Sequence, residues 1–187
     1  SILKGELSET LSQLSIVTTD YEMLIDSVDA VFIVSKPENH YWQIKMALER
    51  GKHVLCESPI SMKIDEWDEL IAQAKEKGLV LMDAIRTAYS MPYYRMLLLV
   101  KSGQIGEVIS VDVSCSSLRN TDMNSDELNN VAWNSMCAWG PNALLPVFQL
   151  LGTDYIDKQI VSKIEPGTEH YDSFTRISFV YPHAVAS

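Results

Sequence analysis

Apolar and polar positions follow two different rhythms along this chain, and the change between them falls near its middle. Residues 28–35 (VDAVFIVS), 52–56 (KHVLC) and 79–84 (LVLMDA) are short, β-branched and nearly all apolar. Such runs suit parallel strands covered on both faces. Between them, HYWQIKMALERG sets Ile44, Ala47 and Leu48 at helical spacing, with Gly51 at the end. IDEWDELIAQAKEKG does the same with Ile64, Trp67, Leu70, Ile71 and Ala74, and Gly78 stops it. Its acidic residues crowd the start and its lysines the end, as the helix dipole favours. Ahead of these elements the pattern predicts an amphipathic helix over residues 2–13 and a short helix over Tyr21–Ser27. Strand and helix in alternation, joined by short connections, predict a doubly wound parallel sheet.

After Tyr89 the rhythm changes. PYYRMLLLVK predicts a helix with Pro92 at its first position and Ser102-Gly103 beyond its end. EVISVDVSCSSLR, KQIVSKIE and SFTRISFVY alternate apolar and polar residues, the signature of antiparallel strands with one wet face. NTDMNSDELNN is polar and reads as a loop, whereas WGPNALLPVFQLLG reads as an apolar helix. Pro146 within it implies a late start or a kink. The expectation is an α/β protein in two parts, with residues 1–88 a partial parallel domain and residues 89–187 a partial α+β domain with an open antiparallel sheet.

Composition narrows the possible functions. With 187 residues, 47% hydrophobic and 21% charged, the chain can bury a core. Fifteen Lys and Arg against 25 Asp and Glu give a net charge of −10, which disfavours nucleic acid as a partner. No apolar run reaches the roughly 18–20 residues of a membrane span. Cys56, Cys115 and Cys137 are odd in number and widely spaced, which suits reduced thiols and a cytoplasmic location. His40, His53, His170 and His183 lack metal-ligand spacing, so no metal is expected.

Candidate chemistry lies at the strand ends, because ligands of open α/β sheets bind outside the carboxyl ends of the strands. Ser35-Lys36-Pro37 closes the first strand, with His40 in the first turn of the helix that follows. Cys56-Glu57-Ser58-Pro59 closes the second. On spacing alone, a plain polar turn is the better reading of each segment. Ser58 as a nucleophile would need a base and an orienting acid, and the G-x-S-x-G elbow is absent. Asp65, Asp68 and Glu69 lie on an exposed helix face and read as solvated charge. The chain contains no glycine-rich phosphate loop.

The stretch VDAVFIVSKPENHYWQIKMALERGKHVLCESPI, followed by LVLMDAIRTAYSMPYYRMLLLVKSGQIGEV, resembles the glucose–fructose oxidoreductase/inositol dehydrogenase/MocA family of NAD(P)-dependent oxidoreductases. The resemblance runs from about Tyr21 to Gly152. Its most specific elements are P-x-x-H at one strand end, G-K-H-V-x-x-E-K-P at the next, and K-S-G-x-I-G-E-V. It implies a Rossmann domain followed by a domain with a large open sheet that binds substrate and commonly mediates homo-oligomers. It also implies a GxGxxG-bearing βαβ unit, roughly 30 residues or more, ahead of Ser1, and further chain beyond Ser187. NAD or NADP is the implied cofactor of the full-length protein. The implied contacts to it are Ser35, Lys36, Pro37, His40, Glu57 and Pro59.

Three substitutions depart from the family pattern. Ser58 stands where the family has the lysine of E-K-P. The family's D-x-G-x-H aligns with Ala138-Trp139-Gly140-Pro141-Asn142, so alanine replaces the aspartate and asparagine the histidine. Serine and asparagine can hydrogen-bond a sugar hydroxyl but cannot act as a base near neutral pH. Ser58, Asn142 and Tyr89 are therefore the catalytic candidates, with Tyr89 or His40 the nearest acid/base. Two functions follow from the resemblance. One is hydride transfer on a sugar or cyclitol hydroxyl. The alternative is a catalytically silent member that binds nucleotide or sugar, or serves as an oligomerisation module.

Overall fold

A computed structural model describes residues 14–117, 134–169 and 171–187. The helix expected over residues 2–13, the polar loop NTDMNSDELNN and His170 lie outside the described residues. The chain divides into two compact units, Ser1–Asp83 and Ala84–Ser187. The sequence pattern sets the division after residue 88; the packing sets it directly after the third strand.

In the first unit, α1 (Tyr21–Asp26) starts at Asp20, whose side chain accepts from the Met23 amide at 3.1 Å. Strands β1 (Ala30–Ile33), β2 (His53–Cys56) and β3 (Leu81–Asp83) form a parallel sheet in the order β1-β2-β3. Helix α2 (His40–Glu49) joins the first pair and α3 (Ile64–Glu76) the second. Right-handed crossovers, the rule for parallel strands, put both helices on one face of such a sheet, and both helices contribute to one core. There Ile25, Val31, Ile33, Ile44, Leu48, Val54, Cys56, Leu70 and Ala74 pack into one core. Lys77 Nζ donates to the carbonyls of Leu48 at 3.0 Å and Glu49 at 2.9 Å, closing the end of α2 that would otherwise lack partners.

Among the described residues, the expectation of strands covered on both faces holds for one face only. Side chains alternate across a strand, and β1 alternates exposed and buried residues. Phe32, Leu55 and Met82 face one another across the sheet. Phe32 is 57% and Met82 38% exposed among the described residues. An unbroken apolar run states that a strand is compatible with two covered faces, not which elements cover them.

In the second unit a short 3₁₀ turn, Arg86–Tyr89, leads to α4 (Met91–Lys101), where the Ser90 side chain caps the Tyr93 amide. The remaining strands are β4 (Ser110–Val111), β5 (Asp157–Ile164), β6 (Asp172–Val180) and β7 (Val185–Ala186). Their order is β4-β7-β6-β5. β5 and β7 pair antiparallel with β6, and β4 pairs parallel with β7, so the sheet is mixed. Helix α5 (Ser135–Leu151) packs on this sheet through Val147 and Phe148 against Phe179, and contains both Pro141 and Pro146. The sequence pattern starts this helix at Trp139; it starts at Ser135. The Asn134 side chain accepts from the Cys137 amide at 3.0 Å, and Asp172 Oδ1 accepts from the Ser135 amide at 2.7 Å. The Asn134 cap is a local start signal that the apolar pattern alone passes over, whereas the Asp172 partner is remote in sequence.

Candidate functional site

The carboxyl ends of β1, β2 and β3 lie side by side because the parallel ladder puts Ile33, Cys56 and Asp83 in one row. The chain after β1 turns at Ser35-Lys36-Pro37 into the 3₁₀ turn Pro37–Asn39, and α2 begins at His40. The chain after β2 stays against β1, since the Glu57 amide donates to the Ile33 carbonyl at 2.9 Å. It then passes through a cis Ser58-Pro59 peptide.

His40 joins these two turns. Its ring is 1% exposed, with Nδ1 at 2.8 Å from the Pro59 carbonyl and Nε2 at 3.1 Å from the Ser35 carbonyl. Neither nitrogen is left for a ligand, so the side chain positions the backbone at both strand ends. Ser35 is similarly engaged, its hydroxyl donating to Gln43 Oε1 at 2.5 Å. The Gln43 carbonyl in turn accepts from the Tyr21 hydroxyl at 3.0 Å. What these turns leave outward is the exposed Lys36 side chain, the partly buried Glu57 and the backbone between them.

Asp83 ends β3 directly opposite Cys56 and beside Ser58. Burial raises its carboxyl above the ordinary range; the Ser58 hydroxyl and the Ile60 amide pull it down, Glu57 raises it and His40 lowers it. Ser58 Oγ is shielded from solvent and has no hydrogen-bond partner among the described residues. It nevertheless lies close enough to the carboxyl to stabilise its charged form. The neighbouring Cys56 thiol is pushed up to about 12, by burial first and then by Asp83 and Glu57. Such a thiol is inert at neutral pH.

In the second unit, Asn142 lies on α5 and accepts from the Thr87 hydroxyl at 3.2 Å. Tyr89, at the end of the same 3₁₀ turn as Thr87, is 58% exposed. Between α5 and the sheet is a cavity of about 880 Å³. Trp139, Leu144 and Phe179 give it apolar walls, and Asp172, Thr175 and Arg176 polar ones. Among the described residues no three His, Cys, Asp or Glu gather closely enough to hold a metal ion.

Residues 7–84 match the family model of an oxidoreductase family with an NAD-binding Rossmann fold, Gfo/Idh/MocA. Residues 7–84 are the part of the chain that this oxidoreductase family model covers. The scyllo-inositol 2-dehydrogenase (NADP(+)) IolU of Bacillus subtilis is 40% identical over 72 residues, 38% of this chain and 22% of that protein. A D-xylose 1-dehydrogenase (NADP(+)) of Hypocrea jecorina is 31% identical over 102 residues, 54% of this chain and 26% of that protein. Among solved structures, KijD10, a 3-ketoreductase from Actinomadura kijaniata in complex with NADP and TDP-benzene, shares the fold. The TM-score is 0.74 at 23% identity, over 90% of this chain and 53% of that one. The chain thus spans about a quarter of the curated relatives it matches and about half of that structure.

The Gfo/Idh/MocA family is NAD(P)-binding. Of the residues singled out in the sequence, the structure gathers Ser35, Lys36, Pro37, His40, Glu57, Ser58 and Pro59 at one edge of the parallel sheet. In the second unit it bonds Asn142 to Thr87, two residues before Tyr89 in the same 3₁₀ turn. Sequence reasoning passed over Asp83 and Thr87. Asp83 carried a usable signal, being an acidic residue at the carboxyl end of a buried strand. Thr87 carried none, because its partner lies 55 positions away.

Proposed function

We propose that these residues form the nicotinamide-side strand ends and part of the substrate domain of an NAD(P)-dependent oxidoreductase acting on a sugar or cyclitol hydroxyl. The observation that carries this reading is the strand-end cluster, in which His40 pins the Ser35 and Pro59 turns together at the carboxyl edge of a parallel sheet. That edge is where open α/β sheets take their ligands.

The donor set fits the nicotinamide end of a dinucleotide. Backbone groups at Ser35-Lys36-Pro37 and Glu57-Ser58-Pro59 are held rigidly, and Lys36 places an exposed cation beside them. When bound, the cofactor supplies the hydride-accepting ring. Ser35, Lys36, Pro37, Glu57 and Pro59 would hold it, with His40 setting their positions. The 187 residues contain no glycine-rich turn for its pyrophosphate, so that contact is not among these residues.

Sugar or cyclitol as substrate class is supported by two relatives named for scyllo-inositol and D-xylose. It is also supported by the cavity on α5, where an indole wall faces carboxylate, hydroxyl and guanidinium groups. Apolar walls with a few convergent polar groups are the usual form of a small-molecule site. Asn142, with Oδ1 engaged by Thr87, keeps its amide hydrogens to offer an acceptor on the substrate. Tyr89 supplies an exposed phenol. The exposed β5 edge, with Ile160, Val161 and Ile164 uncovered, supports a homo-oligomer built on this sheet. A cytoplasmic location remains part of this reading.

A catalytically silent role is the second reading, favoured by Ser58 and Ala138 standing where the family has ionisable side chains. Incubating the whole protein with NAD(P)+ and a panel of aldoses and inositols, followed at the nicotinamide absorbance, separates the two. Turnover supports the oxidoreductase; cofactor binding without turnover on any member supports the silent protein.

A further inference from the structure

We propose that Asp83, held beside Ser58 at the carboxyl end of β3, is the group that takes up the proton of the substrate hydroxyl. The inference rests on the oxidoreductase reading above and names its missing base. Serine at position 58 cannot accept that proton near neutral pH, so the strand ends need another acceptor. Across the three strand ends, the ionisable groups packed together are His40, Cys56, Glu57 and Asp83. Both His40 nitrogens are engaged by carbonyls. The Cys56 thiol is wholly buried. Asp83 is half-buried at the end of its strand, with Oδ1 shielded from solvent, and in line with the row that begins at Ile33.

Its surroundings suit a proton acceptor. A carboxylate out of bulk water is a stronger base than an exposed one. Burial and the nearby Glu57 act in that direction on Asp83, while Ser58, the Ile60 amide and His40 keep it charged and oriented. Ser58 is thus a positioning residue, its shielded hydroxyl lying close to the Asp83 carboxyl and out of solvent. A bound oxidised nicotinamide would supply the acceptor for the hydride, with both electrons of the substrate C–H bond, and the hydroxyl proton would pass to an Asp83 carboxylate oxygen. The carbonyl product leaves, and the Asp83 carboxylic acid returns its proton to water.

The test begins with a readout that needs neither cofactor nor turnover. Infrared difference spectra of the whole protein against Asp83→Asn, titrated with pH, follow the protonated Asp83 carboxyl directly. The expected midpoint lies above the ordinary aspartate value of about 3.9, and Ser58→Ala moves it higher still. A midpoint at or below the ordinary value, or one that Ser58→Ala leaves in place, overturns the pairing. Kinetics then address the role. Asp83→Asn is expected to keep cofactor affinity and to lose about a hundredfold or more in kcat, along with the acidic limb of the pH profile. Full kcat in Asp83→Asn would sink the proposal while leaving the oxidoreductase reading intact. Failure of the unaltered protein to bind any nicotinamide cofactor would remove both.

Discussion

His40 Nδ1 lies 2.8 Å from the carbonyl oxygen of Pro59, and this contact ties the first residue of α2 to the cis-proline turn after β2. The other ring nitrogen reaches the Ser35 carbonyl. One buried side chain therefore fixes two of the three strand ends that make up the candidate site.

Replacing His40 by alanine leaves both carbonyls without that partner inside the protein. An unsatisfied buried polar group costs about 1–3 kcal/mol. We expect His40→Ala to lower unfolding stability by about 2–4 kcal/mol, since both the contacts and the packing of the ring are lost. Urea unfolding of the whole protein checks this; a change within about 0.5 kcal/mol, as at ordinary surface sites, contradicts the clip.

The α3 stripe divides sharply between core and surface. Leu70 is fully buried, whereas Ile64 is 75% exposed. Leu70→Ala is expected to cost about 2–5 kcal/mol, and Ile64→Ala no more than about 0.5 kcal/mol. Comparable shifts in the two denaturation midpoints would refute the assigned helix face.

Thiol accessibility separates the three cysteines. Cys56 is wholly buried and its thiol is pushed up to about 12, chiefly by burial. Only the thiolate reacts readily. At pH 8 a thiol reagent should modify Cys137 and Cys115 well before Cys56, as read by peptide mass spectrometry. Early labelling of Cys56 in the folded protein would contradict this core.

Alkaline pH should weaken the first unit. Burial, with Cys56 nearby, raises the Tyr21 hydroxyl from 10.0 to about 12, and Cys56 rises from 9.0 to about 12. Both groups hold protons in the folded chain that the unfolded chain has lost. Their contribution is fully present below the unfolded values and declines as pH rises through 9 to about 12. Thermal midpoints measured across that window should fall, and should fall less in Tyr21→Phe. An equal fall in both proteins would remove Tyr21 from the account.

Asp172 joins β6 to the start of α5 by accepting from the Ser135 amide. Loss of a helix-capping carboxylate typically costs about 0.5–2 kcal/mol. Asp172→Ala should destabilise the protein by that amount and fray α5 at its first turn. Amide exchange at residues 135–138 reads the fraying, and unchanged protection there would argue against the cap.

Much of this fold is legible in the sequence because it follows from local rules. The parallel strands announce themselves as apolar runs, α2 and α3 through helical spacing, and their ends through Gly51 and Gly78, both at positive φ. The strand-end rule also locates Ser35, Glu57 and Ser58 from the sequence. What stays hidden depends on partners distant in sequence. The early start of α5 rests in part on Asp172, the orientation of Asn142 on Thr87, and the environment of Asp83 on Ser58 and Ile60. The open face carrying Phe32 and Met82 was equally unreadable, since an apolar run does not record which side is covered. Ser58 illustrates the boundary best. Its departure from the family lysine is visible as a letter, whereas its contact with the Asp83 carboxyl appears only in three dimensions.

The strand ends around His40 are proposed to serve a nicotinamide cofactor. Calorimetric titration of the whole protein with NADH and NADPH, compared with His40→Ala under the same conditions, tests this. Saturable binding of at least one dinucleotide by the unaltered protein is expected, with loss of affinity in the variant while it remains folded. No binding of either dinucleotide, or equal affinity in a folded His40→Ala variant, would contradict it.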